Sequence, residues 1–290
     1  MKIAFAGLGV MGAPMARHLV AAGHDVTGFN RSPAKAKAWA EADGGAWAST
    51  VAEAAAGAEL FVLCVGNDDD VRQVVTEALP HLAPGAVIVD HTTTSATVAR
   101  EMSALAAESG RFFIDAPVSG GQAGAENGQL SVMAGGDAGA LDRVEAALMA
   151  YSKAIKHMGP SGAGQLTKMV NQIAIAGVVQ GLAEAVHFAQ SAGLDTDAVY
   201  DAVSKGAAQS WQMDNRWKTA ARGEFDFGFA VDWMRKDLGL VLDEARANGA
   251  TLEMTARVDG YYAEVQAIGG GRWDTSSLAA RLPAARPADG

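Results

Sequence analysis

Over the first 160 residues, short apolar runs alternate with amphipathic stretches. Lys2–Ala6 (KIAFA), Asp25–Asn30 (DVTGFN), Glu59–Val65 (ELFVLCV) and Ala86–Asp90 (AVIVD) have the length and residue types of strands. So do Phe112–Asp115, Gln129–Ala134 and Lys153–His157. ELFVLCV is apolar almost throughout, as a parallel strand covered on both faces should be. Between the runs the period changes to that of helices. Residues 13–23 close on Gly23, where a helix C-terminal glycine belongs. A second helix opens at Ser32-Pro33, with proline at its first position. Thr50 and Glu53 form a capping-box pattern for a third. Others run from Asn67-Asp68 to about Leu79, from Ser95 to Ser109 and from Ala138 to Ala150. Strand and helix in alternation predict an α/β domain built on a doubly wound sheet.

The pattern changes after the breakers Gly159-Pro160. From Ser161-Gly162-Ala163-Gly164 the chain runs for about 30 residues without proline, a rod of roughly 45 Å if helical. Apolar residues cover most of its faces after Ile173, which predicts burial rather than solvation. Further helices are expected over Thr196–Lys205, Ser210–Arg222, Val231–Asn248 and Leu252–Ile268, the last stopping at Gly269-Gly270-Gly271. No strand-like alternation appears in this half. The expected organisation is one domain over 1–160 and a helical one over 161–290, joined by a long interdomain helix over 161–192. The end, Arg281–Gly290, is rich in Ala, Pro and Arg and is expected to fray.

Composition narrows the partners. At 290 residues, 49% of them apolar, the chain has material for two cores. A net charge of −10 argues against nucleic acid or an anionic membrane as the main partner, although a pocket's own field can still attract a small anion. One cysteine, Cys64, allows no intrachain disulfide and suits a reducing compartment. With a strand beginning at Lys2 and no uninterrupted apolar run long enough to span a bilayer, a cytoplasmic location is expected.

The first glycine turn carries chemistry. Gly7-Leu8-Gly9-Val10-Met11-Gly12 is a G-x-G-x-x-G sequence placed between a strand and a helix. In a Rossmann-type fold the first glycine permits the tight turn. The second lets backbone approach a pyrophosphate, and the third lets helix and strand pack closely. The following helix offers unpaired N–H groups to phosphate. Asn30 lies 21 residues after Gly9, where a carboxylate would bind the ribose hydroxyls of NAD. Here the residues are Asn30-Arg31-Ser32, with an arginine suited to a 2′-phosphate, so NADP(H) is expected before NAD(H). An arginine merely exposed on a turn is the alternative. Ser119-Gly120-Gly121, at a strand's end, offers backbone N–H groups and a hydroxyl to an anion, or is simply a glycine-rich turn. Lys168 and Asn171 stand one turn apart on one face of the long helix; a solvated surface lysine is the plain alternative. The six histidines lack metal-ligand spacing, so no metal site is expected. His187 and Glu184 could pair on the long helix, although a packed or solvated histidine is the expected reading. Trp211 and Trp217 near Met213 suggest a hydrophobic wall, in core packing before a substrate pocket.

Taken together, GLGVMGAPMARHL (7–19), DAPVSGG (115–121), GAGQLTKMVNQ (162–172) and RKDLGLVLDEA (235–245) resemble the β-hydroxyacid dehydrogenases. That family includes 3-hydroxyisobutyrate dehydrogenase and the tartronate semialdehyde and glyoxylate/succinic semialdehyde reductases. The resemblance covers almost the whole chain. It implies hydride transfer between a nicotinamide and a small β-hydroxy acid or its semialdehyde, with Lys168 as acid/base. It further implies that Ser119, Gly120 and Gly121 hold the substrate carboxylate. The catalytic amide is Asn171 or its neighbour Gln172. Thr93 would lie beside the nicotinamide, after Val65 and Gly66 on the coenzyme's path, and Lys236 would close over the coenzyme. Asp237 is expected to orient its helix or pair locally. Two rivals are an imine reductase of the same fold, which Lys168 argues against, and a dinucleotide-binding module without turnover. The apolar long helix predicts a homodimer or homotetramer.

Overall fold

The computed structural model describes residues 1–283, and the chain folds as two compact units, Met1–Lys168 and Met169–Gly290. The first holds a nine-stranded sheet. Its strands are β1 (Lys2–Ala6), β2 (Asp25–Phe29), β3 (Ala46–Trp47), β4 (Leu60–Leu63), β5 (Val87–Asp90), β6 (Phe112–Asp115), β7 (Val118–Ser119), β8 (Leu130–Gly135) and β9 (Ser152–Gly159). The helices of this unit are α1 (Gly12–Ala21), α2 (Pro33–Asp43), α3 (Val51–Ala55), α4 (Asp68–Ala78), α5 (Ala96–Glu108), α6 (Gly121–Glu126) and α7 (Ala138–Leu148). The strand order β3-β2-β1-β4-β5-β6 is parallel throughout, with its reversal of direction between β1 and β4. That is the doubly wound order whose ligands bind outside the carboxyl ends of the strands.

Both faces of the sheet's middle, β1, β4 and β5, are buried, and the alternating side chains of each strand enter two separate cores. Ile3 and Phe5 of β1 join Leu60, Val62, Val87 and Val89 in one layer, closed by Met15, Leu19, Val144 and Leu148. Ala4 and Ala6 join Phe61, Leu63 and Ile88 in the other, closed by Val71, Val75, Val98 and Met102. Each large apolar side chain among them contributes about 1.5–3 kcal/mol on burial. Side-chain caps fix where the helices start. Thr50 and Glu53 form the expected capping box, and Asn67, Ser95 and Asp137 accept the third N–H of α4, α5 and α7.

Four local features differ from the sequence reading. The strand β2 ends at Phe29 and leaves Asn30 outside it. β3 is a two-residue edge strand with no sequence signal of its own. Val118-Ser119 is not a turn but β7, paired antiparallel with β8, so the sheet is mixed at this end. Gly120 and Gly121 then start α6, and their positive φ angles, 133° and 62°, allow the chain to swing from strand to helix.

The long helix, α8 (Ala163–Ser191), begins in the first unit and continues into the second. The second unit adds α9 (Thr196–Val203), α10 (Trp211–Ala221), α11 (Val231–Asn248) and α12 (Glu253–Ala267), with 3-10 turns at Gly270–Arg272 and Thr275–Arg281. Its core joins Ala176, Val179 and Ala183 of α8 to Met234 and Leu238 of α11 and Val258 and Tyr262 of α12. Trp217 is buried beside Val186, its indole N–H bonded to the Thr196 carbonyl, whereas Trp211 is exposed and lies under the Arg216 guanidinium.

α8 is less buried than its composition implies. One stripe packs inward, while Val170, Val178 and Phe188 on other faces are exposed, Phe188 by 70%. Among the described helices it alone has the length and apolarity to cross a membrane, and 39% of its most apolar window is buried inside the protein. Glu184 accepts from Gln180 on the same helix rather than pairing with His187. At the chain's end, Arg281 is ordered: it stacks on the Tyr261 ring at 3.6 Å and reaches Glu264. The remainder of the segment expected to fray, 284–290, lies outside the described residues.

Candidate active site

The glycine turn has the shape of a phosphate cradle. Gly7 takes φ 96°, and a Cβ there would stand 2.1 Å from the Cys64 carbonyl oxygen. A Cβ on Gly12 would stand 1.9 Å from the Gly7 carbonyl oxygen, so α1 packs against the turn with no room to spare. In front of Gly9 nothing lies within 4 Å. Unlike α3, α4, α5 and α7, α1 has no side-chain cap, and unlike α3 and α4 it has no acidic residue in its first turn. The Ala13 N–H is bonded to the Gly9 carbonyl at 3.0 Å and Pro14 carries none, so the Gly12 N–H at the head of the helix is what remains for an external anion such as a pyrophosphate. The residues present fit a dinucleotide. Val10 is exposed at the turn's tip, and Met11 is half-buried as the residue preceding α1.

The ribose-reading position holds a different arrangement from the one expected. Asn30 Oδ1 accepts the Leu8 N–H at 3.1 Å, and Asn30 Nδ2 donates to the Ser32 carbonyl. Asn30 therefore pins the glycine turn to the chain after β2. Arg31 is exposed, and its Nη1 lies 3.1 Å from Asp70 Oδ1. Ser32 precedes α2 without a side-chain cap bond. Val65 and Gly66 follow β4: Val65 N–H donates to Thr92 Oγ1 and Gly66 N–H to Asp70 Oδ2. Thr93 lies half-buried beyond β5.

The start of α8 is locked to this region through residues of the first unit. The buried Asp115 carboxylate, at the end of β6, accepts from the N–H groups of Gly162 and Gln165 at 2.8 and 3.0 Å. Burial pushes the Asp115 carboxyl up from its usual range, and these N–H bonds pull it back. The fully buried Gln165 amide grips the loop that carries Thr93 on both sides, donating to the Thr92 carbonyl at 2.8 Å and accepting from the Thr94 N–H at 3.1 Å. One turn later, Lys168 is 9% exposed and its Nζ donates to the Val118 carbonyl at 2.9 Å. The amine is therefore anchored on the residue before Ser119-Gly120-Gly121, a stretch that is half-buried to exposed. A plainly solvated surface lysine is excluded.

The two amides beyond Lys168 differ in their bonds within the second unit. Gln172 is buried, donates to Asp237 Oδ2 at 2.7 Å and accepts from Asn171 Nδ2 at 2.8 Å. Both ends of the Gln172 amide are thus engaged, and its bond to Asp237 ties α8 to α11. Asn171 is only half-buried. Lys236 pairs with the adjacent Asp237 at 3.1 Å and lies 6.0 Å from the Trp233 ring centroid. Sequence patterns do not single out Gln165, Asp115 or Asp70. Gln165 and Asp115 fall inside the motifs quoted above, but their bonds are set by tertiary approach and carry no spacing signature.

A second buried network lies next to the β6–β7 turn. His91 Nδ1 must donate, because its partner at 2.5 Å is the Ala116 carbonyl, and Nε2 then accepts from the Tyr151 hydroxyl at 2.8 Å. The ring is neutral, and burial pushes its pKa down to about 4. The unfolded chain, with a pKa near 6.5, binds a proton that the fold refuses, so stability should fall as pH drops from about 6.5 to about 4. The shift corresponds to about 3 kcal/mol. Urea unfolding of the native protein and of His91→Gln at several pH values checks this. The native protein should lose more stability over that window, and parallel curves would refute it.

A parallel sheet with a phosphate cradle at its switch point, followed by a helix carrying a buried lysine, defines a nicotinamide-dependent dehydrogenase. The NAD-binding domain of 6-phosphogluconate dehydrogenase matches residues 2–159, and the NAD-binding domain of NADP-dependent 3-hydroxyisobutyrate dehydrogenase matches 162–282. An uncharacterized oxidoreductase of Shewanella frigidimarina is 61% identical, covering 98% of this chain and 99% of its own. The 2-(hydroxymethyl)glutarate dehydrogenase of Eubacterium barkeri is 33% identical, covering 96% and 93%. A solved structure of Mycobacterium tuberculosis 3-hydroxyisobutyrate dehydrogenase with L-serine superposes with a TM-score of 0.89 at 36% identity, covering 97% and 99%. The chain belongs to the β-hydroxyacid dehydrogenase family and is an oxidoreductase acting on CH–OH groups.

Proposed function

We propose that the protein interconverts a small β-hydroxy acid and its semialdehyde, with Lys168 as general acid/base and NADP(H) as the preferred coenzyme. The observation that carries the reading is the anchoring of Lys168 Nζ on the Val118 carbonyl, beside Ser119-Gly120-Gly121. The nicotinamide supplies or takes the hydride at the substrate carbon. In the oxidising direction the neutral amine of Lys168 removes the hydroxyl proton; in the reducing direction the ammonium returns it to the carbonyl oxygen. Ser119 and the N–H groups of Gly120 and Gly121 hold the carboxylate. Asn171 rather than Gln172 orients the reacting oxygen, since the Gln172 amide is committed to Asp237 and Asn171. Thr93, on the loop that Gln165 grips, flanks the nicotinamide, and Lys236 neutralises the coenzyme's phosphates. In this reading residues 1–160 form the coenzyme-binding domain and 161–290 the helical substrate and oligomerisation domain.

The named relatives suggest the substrate class. 3-Hydroxyisobutyrate, 2-(hydroxymethyl)glutarate and L-serine share the unit HOCH2–CH(R)–COO⁻ and differ in R. A carboxylate held at Ser119 and a hydroxyl presented to Lys168 would recognise that shared unit, with R left to the pocket wall. The test is a panel of 2-substituted 3-hydroxypropionates and their semialdehydes, including tartronate semialdehyde, together with succinic semialdehyde and glyoxylate, assayed with both coenzymes. Turnover of none of them would sink the reading.

Two substitutions refine it. Ser119→Ala should raise KM for the carboxylate substrate more than for the analogue with an amide in its place. A hydrogen bond to a charged group contributes about 1.5–3 kcal/mol, so a rise of roughly ten- to a hundredfold is expected. Equal effects on both compounds would remove Ser119 from the carboxylate site. For the coenzyme, kcat/KM with NADPH should exceed that with NADH, and Arg31→Ala should shrink the ratio by roughly tenfold. An unchanged ratio would leave Arg31 as an exposed turn residue. The exposed apolar positions Val170, Val178 and Phe188 of α8 support a homodimer or homotetramer, which sedimentation would measure, and the protein is proposed to be soluble and cytoplasmic.

A further inference from the structure

Two of the residues assigned to the coenzyme, Arg31 and Gly66, are held by one carboxylate. Asp70 is the third residue of α4, and its own N–H donates to the Asn67 Oδ1 cap at 2.9 Å. Its Oδ2 accepts the Gly66 N–H at 3.1 Å, and its Oδ1 accepts Arg31 Nη1 at 3.1 Å. The approach is close enough that a Cβ on Gly66 would stand 2.5 Å from Oδ2. The other two acids of the Asp68-Asp69-Asp70 run are spent elsewhere. Asp68 accepts from the Ser95 N–H and hydroxyl, and Asp69 pairs with Arg72. The side chain of Asp70 is only 17% exposed, so its position is fixed by the chain, whereas that of Arg31 is 80% exposed and follows it.

We propose that Asp70 is a specificity-determining residue for the coenzyme, tempering the chain's preference for a 2′-phosphorylated dinucleotide by sharing the Arg31 guanidinium and placing a negative charge beside it. This rests on the reading that Arg31 faces the adenosine ribose. A 2′-phosphate carries between one and two negative charges near pH 7. To engage Arg31 it must share the guanidinium with Asp70 and tolerate a like charge one residue's width away. A ribose with free hydroxyls meets no such penalty, because hydroxyls donate to carboxylates. Asp70 thus acts as a repulsive element against one ligand rather than an attractive one for the other. The sequence hides this, because Asp70 lies 39 positions after Arg31 and looks like an ordinary acidic residue in a first helical turn.

The test uses the full chain and binding alone. Calorimetric titration with 2′,5′-ADP and with 5′-AMP compares the native protein, Asp70→Asn, Arg31→Ala and the double variant. Asparagine keeps an oxygen for the Gly66 N–H and removes the charge. Asp70→Asn should bind 2′,5′-ADP about 3- to 10-fold more tightly, with 5′-AMP affinity within about twofold of native, which also shows that the fold is intact. In the Arg31→Ala background the gain should fall by at least half. Two results overturn the proposal while leaving the role of Arg31 standing: an unchanged or weaker 2′,5′-ADP affinity in Asp70→Asn, or an undiminished gain without Arg31. If Arg31→Ala itself leaves the ratio of the two affinities unchanged, the reading beneath the proposal fails, and both fall together.

Discussion

Lys168→Ala should lose turnover by roughly 10²- to 10⁴-fold, the usual contribution of a general acid–base group, while binding the coenzyme as the native protein does. The separation follows from where the lysine stands. Its Nζ is bonded to the Val118 carbonyl, next to the proposed carboxylate site, and the glycine turn that cradles phosphate draws on β1, α1 and β2 instead. The side chain is only 9% exposed. Steady-state kinetics with the best substrate, together with a fluorescence titration of NADPH, reads both halves. Retention of more than a few per cent of kcat would pass the proton to another residue. Loss of NADPH binding in the same variant would mean that the substitution disturbs the start of α8, where Asp115 and Gln165 hold the helix. Lys168→Met, of nearly the same length, separates that case: it removes the proton donor and keeps the aliphatic stem packed.

The parts of this site legible in the sequence are those whose physics is local. G-x-G-x-x-G is readable because a tight turn, a close backbone approach and a helix start all fall within six residues. Thr50, Asn67 and Ser95 are readable because capping acts over three residues. The alternation of buried strands and amphipathic helices places the parallel sheet for the same reason. What stays hidden depends on distance along the chain. Gln165 meets Thr92 and Thr94 across about 70 positions, and Asp70 meets Arg31 across 39. Glycines after Ser119 read as a turn because glycine suits turns. In the structure their positive φ angles instead turn an edge strand into a helix, and β7 is recognisable only through its partner β8. α8 shows the limit of composition: an apolar helix is buried only where something packs on it, and Phe188 is left outside.

Gly7→Ala and Gly9→Ala should fail in opposite ways, although the two residues are two positions apart in one motif. At Gly7 the backbone takes φ 96°, which costs an L-residue about 1–2 kcal/mol, and the new Cβ would meet the Cys64 carbonyl oxygen at 2.1 Å. Overpacking against backbone adds about 1–3 kcal/mol, so the protein should unfold at markedly lower urea with or without coenzyme. At Gly9 the backbone is not left-handed, and nothing stands within 4 Å of the added carbon. The unliganded protein should keep its melting temperature to within about 2 °C. What the Gly9 methyl occupies is the open space over the turn, where the pyrophosphate must reach the backbone N–H groups of the turn and of Gly12. Losing one such charge-assisted bond weakens binding by roughly ten- to a hundredfold. Thermal melts without coenzyme and titrations with NADPH, made on the same two variants, give the crossed result. A Gly9→Ala protein that binds NADPH at native affinity would show that the dinucleotide does not lie over this turn.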